Sequence, residues 1–265
     1  MKRCVFFLFV LWAMCASAFR TDTVNVATAN MPAPVPVIVI SPDATGAQRF
    51  PSVYLLHGYG GDEGSWTKIR PDLGKLADRY GMVLVMPGMG DTWYVDSEVA
   101  PQFRAASFIV KDLVPYIDSH YPTVAERGKR AVSGLSMGGH GAFYLGRKYP
   151  EVFGSVGSTS GGVDIRPFPT RWKMAEVLGP YQGNEARWDE ASAAANVDRI
   201  AAADLNIIFD CGSSDFFADV NDKLHRDLLA AGVKHDFISR PGTHNMAYWN
   251  NSVLYTLLFF NECFK

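Results

Sequence analysis

Cysteine is scarce, with four among 265 residues. Cys4 and Cys15 sit in an apolar N-terminal run, which leaves Cys211 and Cys263 for the folded part. A disulfide framework is therefore excluded as the source of stability, and two unpaired thiols are expected. Charge of one sign is lacking too. Lys and Arg number 25 against 27 Asp and Glu, a net charge of −2. Nucleic acid is thereby excluded as the main partner, because no basic face exists to displace its counterions. Long apolar runs are missing beyond the N-terminus. Residues 253–260 are apolar but fall well short of the roughly 20 needed to cross a bilayer, and they read as a buried terminal helix. With 48% apolar residues and little net charge, disorder is excluded as well. No repeat or low-complexity tract interrupts the chain.

The N-terminus has a pattern of its own. Met1-Lys2-Arg3 is basic, an apolar run follows from Cys4 to Cys15, and Ala16-Ser17-Ala18 closes it. This is the layout of a secretory signal peptide, with cleavage expected near Ala18-Phe19 and a secreted or periplasmic mature chain. A membrane anchor needs a longer run. The remaining residues 19–265 are expected to form one domain.

Short β-rich runs at 35–40, 52–56, 82–86, 131–134, 152–158, 206–209 and 236–239 alternate with helical patterns at 73–80, 103–120, 139–148, 219–231 and 246–264. Val83-Leu84-Val85 and Ile207-Ile208-Phe209 are continuously apolar, as strands buried on both faces are. The alternation predicts an α/β fold with a mostly parallel sheet and helices on both sides. The Pro-rich stretch 30–41 suits an edge strand or a lead-in segment. Residues 161–203 break the rhythm with turn residues and aromatics, including Trp172 and Trp188. They are expected to be an insertion, either a lid or substrate-binding loop or a surface elaboration.

Gly134-Leu135-Ser136-Met137-Gly138 matches G-x-S-x-G, between a short strand pattern and a helix opening at Gly138-Gly139-His140. In such a strand–turn–helix the small flanking residues permit a sharp turn that exposes the serine hydroxyl. A nucleophilic serine needs a base, and the base an orienting acid, which follow in the chain order acid then histidine. Asp215 lies in the turn after the strand at 206–209 and is preferred over Asp210, still at the strand end. His244 lies on the loop before the last helix and is the expected base. The Gly-rich loop Leu56-His57-Gly58-Tyr59-Gly60-Gly61 ends an early strand. Its Tyr59 amide and that of Met137 are the expected oxyanion donors. No histidines stand at metal-ligand spacing with a partner acid, so no metal is expected. The chemistry requires no cofactor.

With these residues in place, the chain resembles an esterase family of the α/β hydrolases. That family includes tributyrin esterases, S-formylglutathione hydrolase (esterase D), feruloyl and acetylxylan esterases, and mycolyltransferases. The matching segments are LLHGYGGDEGSW at 55–66, GLSMGGHGAF at 134–143, DCGSSDFF at 210–217 and PGTHNMAYW at 241–249. The resemblance implies an α/β-hydrolase fold, a triad of Ser136, Asp215 and His244, and an aromatic loop at Asp91-Thr92-Trp93-Tyr94 near the pocket. It differs at Asn245-Met246, where many relatives carry an acidic residue and a tryptophan. His57, Trp93, Tyr94, Trp172 and Trp188 are the expected substrate-binding residues. The expected activity is hydrolysis of short-chain acyl or feruloyl esters, carbohydrate esters among them. Alternatives are a thioesterase of the S-formylglutathione hydrolase type, acyl transfer to a sugar, and a catalytically silent carbohydrate-binding protein on the same fold.

Overall fold

The computed structural model describes residues 19–265; the expected signal peptide lies outside the described residues. Eight strands form one sheet: β1 (Phe19–Val26), β2 (Val35–Pro42), β3 (Ser52–Leu56), β4 (Val83–Pro87), β5 (Arg130–Leu135), β6 (Ser155–Thr159), β7 (Asn206–Gly212) and β8 (Asp236–Arg240). Their order is β1-β2-β4-β3-β5-β6-β7-β8. β2 runs antiparallel to both β1 and β4, and every pairing from β4 through β8 is parallel.

The central strands show why continuous apolar runs mark such a sheet. In β3, Tyr54 and Leu56 join one core cluster while Val53 and Leu55 join the other. β4 divides in the same way, with Val83 and Val85 on one side and Leu84 and Met86 on the other. Alternate side chains point to opposite faces, so a strand covered by helices on both faces is apolar at successive positions along its middle. One face is covered by the helices Leu73–Tyr80 and Met246–Cys263, which contribute Leu73, Leu76, Val253, Leu257 and Phe260. The other is covered by the helix Met137–Lys148 and its neighbours, with Phe143, Phe108 and Leu224.

Two features depart from the sequence reading. β1 is an additional edge strand, so the Pro-rich β2 lies one place inside the edge. β1 is exposed along most of its length and lacks the apolar run that betrays an inner strand. The single helix expected at 103–120 is three consecutive segments, Ala105–Ser107, a π-helical Phe108–Leu113, and Val114–His120. Pro115 near the start of the last segment supplies no N–H to the carbonyl four residues back and crowds it, which accounts for the widened turn before it. The insertion 161–203 folds into the short helices Met174–Leu178, Glu185–Ala191 and Val197–Ala202 plus a 3-10 turn, Ala193–Ala195. Trp188 within it is fully buried and donates its Nε1–H to the Gly179 carbonyl (3.0 Å). Cys211 and Cys263 are both free thiols.

Candidate active site

Ser136 joins β5 to the helix Met137–Lys148 with φ 54° and ψ −115°, a conformation that L-residues rarely adopt. Three hydrogen bonds hold it there. Ser136 N–H donates to the Thr159 carbonyl (2.9 Å), and the Ser136 carbonyl accepts from His140 N–H (3.1 Å) and Gly162 N–H (3.2 Å). The flanking glycines are a steric requirement. A Cβ on Gly134 would stand 2.4 Å from the Gly138 backbone, and one on Gly138 would stand 2.3 Å from the Leu56 carbonyl oxygen. Gly138→Ala is therefore expected to destabilise the protein by about 3 kcal/mol, a fall in Tm of roughly 6–12 °C. Gly128→Ala, where nothing lies within 4 Å, should be near neutral. Equal melting temperatures for the two variants would contradict the packing account.

The structure brings Ser136, His244 and Asp215 together. His244 Nε2 lies 2.9 Å from Ser136 Oγ. Its Nδ1 lies 2.8 and 3.0 Å from the two Asp215 carboxylate oxygens. The Asp215 side chain is fully buried, and its Oδ1 also accepts the Phe217 N–H (2.9 Å). His244 sits just before the C-terminal helix, which Asn245 caps by accepting the Tyr248 N–H (3.0 Å). Asp210 does something else. Buried within β7, two residues before its end, it accepts from Ser252 (2.7 Å) and Thr159 (3.0 Å) and faces the Arg240 guanidinium at 3.6 Å. Desolvation there pushes its carboxyl above the usual range.

Tyr59 lines the cleft beside Ser136, and Met137, whose side chain is buried, directly follows Ser136 in the chain. Met137 opens its helix, so its N–H has no intrahelical acceptor, and the helix N-terminus favours negative charge in front of it. The loop carrying Tyr59 is braced from behind. Gly60 N–H donates to Asp91 Oδ1 (2.8 Å) and Tyr94 Oη–H donates to the His57 carbonyl (2.9 Å). His57 Nε2 accepts the Met89 N–H (2.9 Å), which leaves Nδ1 to donate to the Gly58 carbonyl (2.8 Å). Burial pushes the His57 pKa down and keeps the ring in the neutral form this arrangement needs.

The cleft itself encloses about 370 Å³. Ser136 and His244 lie between a wall of loop backbone with Ser65 and Lys68, and an apolar wall of Trp172, Phe216, Met246 and Trp249. Phe216 packs 4.2 Å from the His244 ring and Trp249 meets it edge-on at 5.0 Å. Of the five substrate-binding residues expected from sequence, only Trp172 lines this cleft. Trp93, Tyr94 and Trp188 are at most 1% exposed and His57 is equally covered, so they act as internal supports. Trp93, for instance, donates its Nε1–H to the Trp172 carbonyl (3.2 Å). Phe216, Met246, Trp249 and Lys68 were not foreseen. The signal for Phe216 was its place directly after Asp215, and for Trp249 its place in the first turn after His244.

His140 stands one helical turn behind Ser136, 1% exposed, edge-on to Trp93 and stacked on Tyr144. Burial, reinforced by the Arg147 charge, lowers its pKa to about 3. A histidine depressed in the folded state binds its proton only on unfolding. Its stabilising contribution is thus complete above about pH 6.5 and is lost as pH falls towards 3. By pH 5 the loss amounts to about 2 kcal/mol. Urea melts at pH 7 and pH 5 should show this acid-side loss in the wild type and a smaller one in His140→Gln. Identical losses in the two would contradict the assignment.

A mostly parallel sheet with a strained serine at the β5–helix turn, and with histidine and carboxylate arriving from later loops, defines an α/β-hydrolase. The profile described as "Putative esterase" matches residues 28–260, and the chain belongs to that family. An esterase of Mycobacterium tuberculosis is 30% identical over 237 residues, covering 78% of this chain and 52% of the relative. This chain therefore corresponds to about half of that protein's length. A solved ferulic acid esterase is 26% identical, with a TM-score of 0.79, 94% of this chain covered and 99% of that one. The S-formylglutathione hydrolase of Staphylococcus aureus shares the fold, at TM-score 0.82 and 19% identity, covering 92% of this chain and all of its own (100%).

Proposed function

We propose that this chain is an exported serine esterase that works through an acyl-enzyme on Ser136. The observation that carries the reading is the unbroken hydrogen-bonded line from Asp215 through His244 to the Ser136 hydroxyl, at the floor of an open cleft. His244 Nε2 takes the Ser136 proton as Oγ attacks the ester carbonyl carbon. Asp215 fixes the imidazole with its proton on Nδ1 and stabilises the imidazolium that forms. The Tyr59 and Met137 amides receive the oxyanion. Collapse of the tetrahedral species breaks the ester C–O bond, and His244 passes its proton to the departing alcohol. Water then loses a proton to His244 while attacking the acyl carbon, which releases the acid and restores Ser136.

The apolar wall of Trp172, Phe216, Met246 and Trp249 suits a short or aromatic acyl group. Similarity to a ferulic acid esterase supports the same class. The basic start, apolar run and A-x-A sequence of the first 18 residues support export. A panel of tributyrin, methyl ferulate, acetylated xylan and S-formylglutathione tests the substrate class. Turnover of the oxygen esters well above that of the thioester is expected, since export removes the chain from the glutathione pool. Exclusive thioester turnover, or none on any substrate, would overturn the reading.

A further inference from the structure

Three aromatic rings surround the imidazole of His244. Phe216 lies against it with ring centroids 4.2 Å apart and planes inclined at 37°. Trp249 and Phe217 meet it edge-on at 5.0 and 5.7 Å. Phe216 is also the ring left half exposed at the cleft, and its place is fixed from two sides. Asp215 Oδ1 accepts the Phe217 N–H (2.9 Å), so the turn that aims the carboxylate at His244 also sets the backbone of Phe216. On its far side Trp172 stacks at 5.4 Å and 27°. Trp172 is itself held, with φ 49° and its carbonyl accepting the Nε1–H of buried Trp93 (3.2 Å). Trp172, Phe216 and His244 form a stack of three rings.

The hydrogen bonds of the triad leave this stack a task. Those to Asp215 and Ser136 act along the plane of the imidazole and fix its two nitrogens, whereas contact on the ring face restrains its tilt. Electrostatics acts in the same place. An aromatic face is the negative side of the ring quadrupole and attracts a cation within about 6 Å of the centroid. The imidazole becomes an imidazolium as it takes the Ser136 proton, and at 4.2 Å that charge forms within range of the Phe216 face. The charged group in contact with His244 is Asp215; Lys68, across the cleft, is paired with Asp62 at 3.0 Å.

We propose that Phe216 is a positioning residue for His244, its ring face holding the imidazole at its working tilt and stabilising the imidazolium that forms as Ser136 attacks. The inference rests on the esterase reading above. Phe216→Leu tests it, because leucine keeps an apolar cover and removes the ring face. Phe216 is half exposed, so the substitution does not threaten the fold. On p-nitrophenyl acetate kcat should fall about fivefold with KM little changed, the size of one cation–π contact. The pH profile of kcat/KM carries the sign. The face favours the charged ring, so without it the proton leaves at lower pH. The acid limb should therefore move down by about 0.7 in pH, the same factor of five. Phe216→Tyr, which keeps the face, should recover most of both effects. Wild-type kcat in Phe216→Leu, an acid limb that stays or moves to higher pH, or equal losses in the two variants would overturn the proposal. If the wild type hydrolyses no ester, the esterase reading fails, and NMR titration of the His244 ring then tests the contact by itself. A midpoint lowered in Phe216→Leu supports it, and an unchanged one overturns it.

Discussion

Ser136→Ala is expected to lower kcat on a short-chain ester by about 10⁶-fold while leaving Tm within a degree or two of wild type. The size follows from the role. Without Oγ there is no covalent intermediate, and the residual rate comes from the oxyanion donors and binding alone. The small effect on stability follows from the geometry, because the turn is held by backbone bonds to Thr159, His140 and Gly162 that do not involve the hydroxyl. KM should change little, since the cleft walls remain. Measured by burst-free steady-state kinetics on p-nitrophenyl acetate, retention of even a tenth of wild-type kcat would remove Ser136 from the centre of the mechanism.

Asp215→Asn is expected to lower kcat by about 10⁴-fold, because an amide donates where the carboxylate accepts and turns the imidazole to the wrong tautomer. Asp210→Asn should cost far less activity, and its effect should fall on stability. Asp210 has no contact with His244; it binds Ser252 and Thr159 and neutralises Arg240 between β7, β6 and the last helix. Kinetics and thermal melts on both variants check the pair. The reverse ranking in kcat would transfer the orienting role to Asp210. The contrast is informative because the two carboxylates stand five residues apart and are both buried, so burial alone cannot explain a difference between them.

Much of this arrangement was legible in the sequence because the signals are local. Gly134 and Gly138 announce the sharp turn at Ser136, and the apolar runs of β4 and β7 announce strands covered on both faces. His244 and Asp215 follow strands at positions where the chain must emerge at the C-terminal edge of the sheet, which is where parallel strands deliver their functional loops. The aromatic residues were less legible. Trp93, Tyr94 and Trp188 look like Trp172 in a loop-rich sequence, yet three are covered by tertiary packing and one faces the cleft. Nothing in the neighbouring residues distinguishes them, because the covering groups come from elsewhere in the chain. Trp93, for example, is covered by His140 from the helix behind the serine. The edge strand β1 was missed for a related reason. An outer strand needs only its pairing with β2, and its exposed polar residues carry no burial pattern to read.

The central claim is that Ser136 becomes covalently acylated with His244 as its base. A fluorophosphonate probe, followed by peptide mass spectrometry, tests it most directly. A single stoichiometric adduct is expected on the peptide containing Ser136, absent in Ser136→Ala and formed at least a thousandfold more slowly in His244→Ala. An adduct on any other residue, or labelling of His244→Ala at the wild-type rate, would contradict it.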